Sequence, residues 1–237
     1  MNIIVTGASR GIGYETVRSM AAESGNTVIA ISRNESRLKL LKQECLEANP
    51  GALIHIIPFD LENLDGIGKE LLEMIRKYIN HLDILINNAG SLVNLPASRI
   101  GFDEADRMLK VNLLAPLALI RSLMPLLELG SDPHVLNIGS MAGVPGVKKF
   151  PGLSVYSASK AAIHVLTECL AEEYRESGIA FNALALGSVQ TEMLAEAFPG
   201  LKAPLEASDM ARYVHDFALN GHHYYQGKIL PVSISTP

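Results

Sequence analysis

Tyr156 and Lys160 stand four positions apart in Val155-Tyr156-Ser157-Ala158-Ser159-Lys160, and Ser140 lies just past the apolar run Val135-Leu136-Asn137-Ile138. Four positions is about one helical turn, so a helix here puts the phenol and the ammonium on one face. A free tyrosine hydroxyl titrates near ~10, too high to exchange protons readily at neutral pH. A neighbouring ammonium stabilises the phenolate and brings that pKa toward a useful range. A Tyr-x-x-x-Lys pair alone is common and often only a solvated helix face. Ser140, at the carboxyl end of a strand, is what adds chemistry: its hydroxyl can hold a carbonyl oxygen while Tyr156 protonates it.

A second group of residues suits a nucleotide. The first apolar run delivers the chain into Thr6-Gly7-Ala8-Ser9-Arg10-Gly11-Ile12-Gly13, and a helical pattern follows. Glycines here allow a tight turn, close approach of backbone to a pyrophosphate, and packing of helix on strand. The helix N-terminus then offers free N–H groups to an anion. The second run ends in Ser32-Arg33-Asn34, without the carboxylate that would grip a ribose 2′-hydroxyl. Arg33, Ser32 and Arg10 instead suit a 2′-phosphate, which predicts NADP as cofactor, with NADPH favoured over NADH.

These residues need a scaffold. Strand-like runs fall at Asn2–Thr6, Thr27–Ser32, Leu53–Phe59, Asp83–Asn87, His134–Gly139, Ala180–Ala185 and Lys228–Ile234. Each is near-continuously apolar, as strands of a parallel sheet buried on both faces are. Helical spacing appears at Ile12–Ser24 and Glu35–Glu47, and two long apolar helices are expected at Phe102–Leu129 and Val155–Ser177. Such alternation predicts βαβ units on one parallel sheet, in a single domain over residues 1–237. The two long helices are apolar on more than one side, which fits either deep burial or an interface of a homodimer or homotetramer.

Composition narrows the partners. The 237 residues are 48% hydrophobic, enough to bury a core, and the formal charge of −5 argues against phosphate-backbone binding. Two cysteines exclude a disulfide scaffold. No unbroken run of about 18 apolar residues occurs, and Met1–Gly7 is too short and uncharged for a signal peptide. A cytoplasmic protein with a small-molecule substrate, without nucleic acid or membrane partners, is expected. His222-His223 are adjacent and point apart, so no metal is expected; His164 reads as a helix-interface residue.

Taken together, the chain resembles the short-chain dehydrogenase/reductase family over nearly its whole length. Beyond the glycine loop and the Ser140, Tyr156, Lys160 set, it carries Asn87-Asn88-Ala89-Gly90 after the fourth strand. Asp60-Leu61 follow the third strand, and Asn112 sits within Lys110-Val111-Asn112. The resemblance implies a doubly wound, Rossmann-type seven-stranded sheet in the order 3-2-1-4-5-6-7. It implies a cofactor site of Gly7, Ser9, Arg10, Gly11, Ile12, Gly13 and Arg33, with Asp60 and Leu61 flanking the adenine. Asn88, Ala89 and Gly90 would line the adenosine ribose side, Asn87 would brace the central strands, and Gly187, Val189 and Thr191 would reach the nicotinamide. Tyr156 would be the acid/base and Ser140 the carbonyl orienter. Lys160 would tune Tyr156 and hold the nicotinamide ribose, and Asn112 would hold a water leading from Lys160 to solvent.

The implied activity is an NADP(H)-dependent oxidoreductase, a carbonyl reductase or alcohol dehydrogenase. An NAD-dependent alcohol dehydrogenase, a 3-oxoacyl thioester reductase and a non-catalytic dinucleotide-sensing protein are the alternatives. Three departures stand out. The sixth strand leads into Leu186-Gly187-Ser188 where the family pattern has Asn-Pro-Gly, and the Ser140–Tyr156 spacing is longer than usual. The extra residues fall in Val144–Gly152, a candidate substrate-facing loop whose Lys148 and Lys149 are either anion readers or solvated. Pro231-Val232-Ser233-Ile234-Ser235-Thr236-Pro237 replaces the usual acidic Gly-Gly ending. The apolar segment Glu192–Leu201 reads as a small lid.

Overall fold

A computed structural model describes residues 1–234; Ser235, Thr236 and Pro237 lie outside the described residues. β1 (Asn2–Thr6) leads to α1 (Gly11–Ala22), and β2 (Thr27–Ser32) to α2 (Glu35–Ala48). β3 (Leu53–Pro58) precedes α3 (Leu64–Gly66) and α4 (Leu72–Arg76), which a π turn at Ile67–Leu71 joins. After β4 (Ile84–Asn87), α5 (Phe102–Leu109) runs through a second π turn, Lys110–Leu114, into α6 (Ala115–Leu127). β5 (His134–Ser140) leads through a 3-10 turn, Met141–Gly143, to α7 (Ser154–Glu173), and β6 (Ala180–Leu186) follows. β7 (Val189–Gln190), α8 (Glu192–Ala197), β8 (Leu205–Glu206), α9 (Ala207–Asn220) and β9 (Lys228–Val232) complete the order.

Seven strands form one parallel sheet in the order β3-β2-β1-β4-β5-β6-β9. The expected doubly wound order is therefore present, with β9 as its last strand. β7 and β8 pair with each other in a small separate ladder that the apolar runs did not reveal. Alternate residues of β1 enter opposite layers. Ile3 and Val5 pack with Val17, Leu38 and Val214 beneath α1, α2 and α9. Ile4 packs with Ile67, Leu71, Leu119 and Phe181 on the other face. Covering both faces explains why the strands read as unbroken apolar runs.

Several expected ends move by one to four residues. The long apolar helix stops at Leu127 and contains a π turn, and the expected Val155–Ser177 helix ends at Glu173, with a 3-10 turn at Arg175–Ser177. By length and composition, Phe102–Leu127 is apolar enough to cross a membrane, although charged residues interrupt its apolar run. Its inner face covers the sheet: Leu119, Ile120, Leu123 and Leu127 are buried. Phe102, Leu109 and Leu114 on this helix, and Val165 on α7, stay exposed.

The strand order reverses between β1 and β4, each of which pairs with the other. At such a switch point the loops leaving the two strands diverge and open a crevice. Asn87 braces the middle of the sheet: its amide donates to Asn137 Oδ1 at 2.8 Å, and Asn137 donates to Thr167 Oγ1 of α7 at 2.9 Å.

Candidate active site

The glycine loop fits a phosphate. Gly7 and Gly11 take φ values of +68° and +59°, where a side chain would strain the backbone. A Cβ on Gly7 would also lie 2.7 Å from the Cα of Ala89. α1 begins with no side-chain cap and no acidic residue in its first turn, so its leading N–H groups face the crevice with a partial positive charge. Thr6 and Asn88 hold this turn in place. Thr6 Oγ1 accepts from the N–H groups of Asn88 and Ala89 at 3.1 and 3.0 Å, and the Asn88 amide donates to Thr6 O at 2.9 Å. The Asn88 side chain is thus spent on stapling β4 to the loop.

The Ser140, Tyr156 and Lys160 side chains converge where β5 ends and α7 begins. Ser140 caps the 3-10 turn through Ala142 N at 3.2 Å and is hydrogen-bonded to the Tyr156 hydroxyl. Lys160 is buried, donates to Ile138 O at 2.8 Å, and its Nζ stands 6.0 Å from the Tyr156 ring centre. Burial pushes the Lys160 ammonium down to about 8. Burial also raises the Tyr156 phenol above its usual value, with Ser140 pulling the other way. The expected net lowering of the Tyr156 phenol is therefore not found: desolvation is the largest influence, and the opposing one is the Ser140 hydrogen bond.

Asn112 lies in the π turn and is fully buried. Its side chain exchanges two bonds with the Ser91 backbone, at 2.8 and 2.9 Å, and donates to Ser159 Oγ at 2.9 Å. Pro116, four residues on, has no N–H to return to the Asn112 carbonyl. Gly90 adjoins the same corner: a Cβ there would lie 3.6 Å from Asn112 Oδ1 and 3.8 Å from Lys160 Nζ.

The basic residues divide differently from the sequence expectation. Arg33 is two-thirds exposed and pairs with Glu62 at 3.1 Å and Asp60 at 3.8 Å. Arg10 and Arg37 instead line one cleft of about 410 Å³ with Ser9, Gly11, Tyr14 and Glu192. Arg37 was missed by sequence reasoning; its only signal was its place one helical turn beyond Arg33. Leu61 is buried in the core on the β3 side, while Asp60 stays half-exposed and accepts from Glu62 N at 3.0 Å.

The residues expected on the nicotinamide side each make a structural contact. Thr191 caps α8 through Leu194 N at 3.2 Å, Val189 is buried in β7, and Gly187 donates to Val232 O at 2.9 Å. Lys149 donates to Ala142 O and Val144 O at 2.8 and 2.6 Å, so its ammonium ties the two ends of this loop together while the side chain stays exposed. Ile12 packs against the core of its helix. Ser159, another residue the motifs did not mark, links Asn112 to the Tyr156 carbonyl at 2.7 Å.

Comparison with known proteins agrees with this architecture. The family description "short chain dehydrogenase" matches residues 1–202. An uncharacterized oxidoreductase of Staphylococcus aureus is 29% identical over 211 residues, covering 89% of this chain and 87% of its own. A dehydrogenase/reductase from Sinorhizobium meliloti superposes with a TM-score of 0.84 at 30% identity, over 98% of this chain and 92% of the other. A short chain dehydrogenase from Burkholderia cenocepacia, solved in complex with NADP, gives a TM-score of 0.85 at 25% identity, over 98% and 95% of the two chains.

Proposed function

The chain belongs to the short-chain dehydrogenase family, and from that premise we propose that it is an NADP(H)-dependent carbonyl reductase. As a family member it is an oxidoreductase acting between CH–OH and C=O groups with a nicotinamide dinucleotide. The observation that carries the finer reading is the meeting of Ser140, Tyr156 and Lys160 at one corner of the crevice, beside the uncapped start of α1.

A bound dinucleotide would supply the hydride. Ser140 donates a hydrogen bond to the carbonyl oxygen of a small ketone or aldehyde and keeps it beside the Tyr156 hydroxyl. Tyr156, whose phenol stays protonated at neutral pH, gives its proton to that oxygen as charge develops there. Lys160 puts a positive charge beside the resulting phenolate and lowers the cost of forming it. Asn112 would hold a water that links Lys160 to solvent and returns the proton. Arg10 and Arg37, with Arg33 at the end of β2, favour a cofactor bearing a 2′-phosphate. Residues 1–237 act as one catalytic domain, and the exposed Phe102, Leu109, Leu114 and Val165 are assigned to contact between copies in a homodimer or homotetramer. Light scattering that finds only monomer would sink that assignment.

Tyr156→Phe tests the reading most directly. Turnover of a carbonyl panel with NADPH should fall roughly 10²–10⁴-fold. NADPH should still bind, and more tightly than NADH, by fluorescence titration of the nicotinamide. Retained turnover would refute Tyr156 as the acid, and equal affinity for the two dinucleotides would refute the 2′-phosphate assignment.

A further inference from the structure

α8 lies against the cleft beside the glycine loop. Glu192 and Glu196 are one turn apart and share a face of this short helix. Glu196 forks both oxygens onto the Arg10 guanidinium, and Glu192 Oε1 lies 3.3 Å from Arg37 Nη1. Hydrogen bonding from Arg10 holds the Glu196 carboxyl below its ordinary pKa. The second Glu192 oxygen sits 3.8 Å from where a Cβ on Gly11 would be. A carboxylate thus stands at the uncapped start of α1, the place in the chain best suited to a phosphate.

Between the two glutamates, Met193 turns toward the reactive corner. Its Cε lies 3.8 Å from where a Cβ on Gly90 would be, the same distance from that point as Lys160 Nζ. The helix is tethered at both ends, by the Thr191 cap and by Asn94 Nδ2 donating to Ala197 O at 2.8 Å. One short element therefore places acidic groups on two arginines and an apolar side chain beside the catalytic lysine.

We propose that α8 is an internal competitor for the dinucleotide, with Glu192 and Glu196 standing on Arg37 and Arg10 in place of its phosphates. The proposal rests on reading the glycine loop and these arginines as the cofactor site. Both ion pairs are partly exposed, at 45% for Glu192 and 63% for Glu196, and such pairs are individually weak. That strength suits the role: a bound polyanion can exchange with the carboxylates and release the helix from the cleft. While the helix is seated, any dinucleotide binds only to the unseated fraction, so apparent affinity falls by that fraction whichever dinucleotide is offered.

The test is fluorescence titration of the whole chain with NADPH and with NADH, comparing wild type with E192Q/E196Q. Both dinucleotides should bind about three- to tenfold more tightly to the variant, by the same factor. E128Q/E173Q changes net charge equally at the far end of α6 and α7, and should leave both affinities as they were. Unchanged or weaker binding by E192Q/E196Q overturns the proposal. Tightening confined to NADPH also overturns it, because repulsion of the 2′-phosphate alone would then suffice, and so would equal tightening by E128Q/E173Q. Failure of the NADP assignment is a separate result: wild type would bind NADH as tightly as NADPH, whatever the glutamates do.

Discussion

At the scale of single residues, the proposed proton transfer depends on how burial and hydrogen bonding divide at Tyr156. Burial raises its pKa and the Ser140 hydrogen bond lowers it. Removing the hydroxyl leaves burial unopposed. Ser140→Ala should therefore move the alkaline midpoint of kcat/KM for alcohol oxidation to higher pH, besides slowing turnover, because oxidation needs the phenolate. A midpoint that stays put or moves down would remove Ser140 from this role. The residue types and the four-residue spacing were legible in the sequence. The sign of the Tyr156 shift was not, because desolvation depends on which distant segments close over the ring. The arginines make the same point: Arg33 was the expected phosphate partner, yet Glu62 and Asp60 hold it, while Arg37 faces the cleft.

At the scale of elements, the site depends on how closely α7 lies against β5. Gly139 of β5 lies directly under the His164 ring of α7, so close that a Cβ there would clash with Nε2. The contact sets the separation between the strand that ends in Ser140 and the helix that carries Tyr156 and Lys160. Gly139→Ala should cost roughly 1–3 kcal/mol, read as a lower urea midpoint, from overpacking. His164→Ala in the same chain should restore part of that loss, because it removes the clashing atoms. Additive losses in the double variant would show that the ring and the strand are not in contact. The reading of His164 as a helix-interface residue placed it on the correct side of α7, but not over a glycine. The π turn before Pro116 is a second element-scale feature. The sequence already predicted a helix running through Pro116, over Phe102–Leu129; the π turn at Lys110–Leu114 just before the proline was not legible in the apolar pattern.

At the scale of the whole molecule, two buried histidines make stability depend on pH. His134 donates from Nδ1 to Ala218 O at 3.0 Å and accepts from Asn182 at its other nitrogen, 3.2 Å away, so protonation breaks the second bond. Burial holds His134 down to about 4, and burial with the charge of Lys160 holds His164 down to about 4. An unfolded histidine titrates near ~6.5. The unfolded chain therefore binds these protons first, and the stability present above about pH 6.5 drains away as pH falls toward about 4. Thermal melts at pH 7.5, 6 and 5 should show Tm falling across that window. His134→Gln with His164→Gln should flatten the fall; an equally steep fall in the double variant would assign it to other groups.

The sequence by itself determined the alternation of strands and helices and the family motifs, whose resemblance implied the order of the sheet, and it marked Ser140, Tyr156 and Lys160 as the candidate reacting groups. Those features are written in local terms: apolar runs of strand length, a glycine turn between strand and helix, and a phenol and an ammonium one helical turn apart. Only the tertiary structure decided which arginines meet the glycine loop, that the Asn88 amide staples that loop, and that α8 sets Glu192 and Glu196 on Arg37 and Arg10. Each of these joins positions far apart in the chain. Long-range contacts are settled by packing and desolvation of the whole core, which residue spacing does not encode.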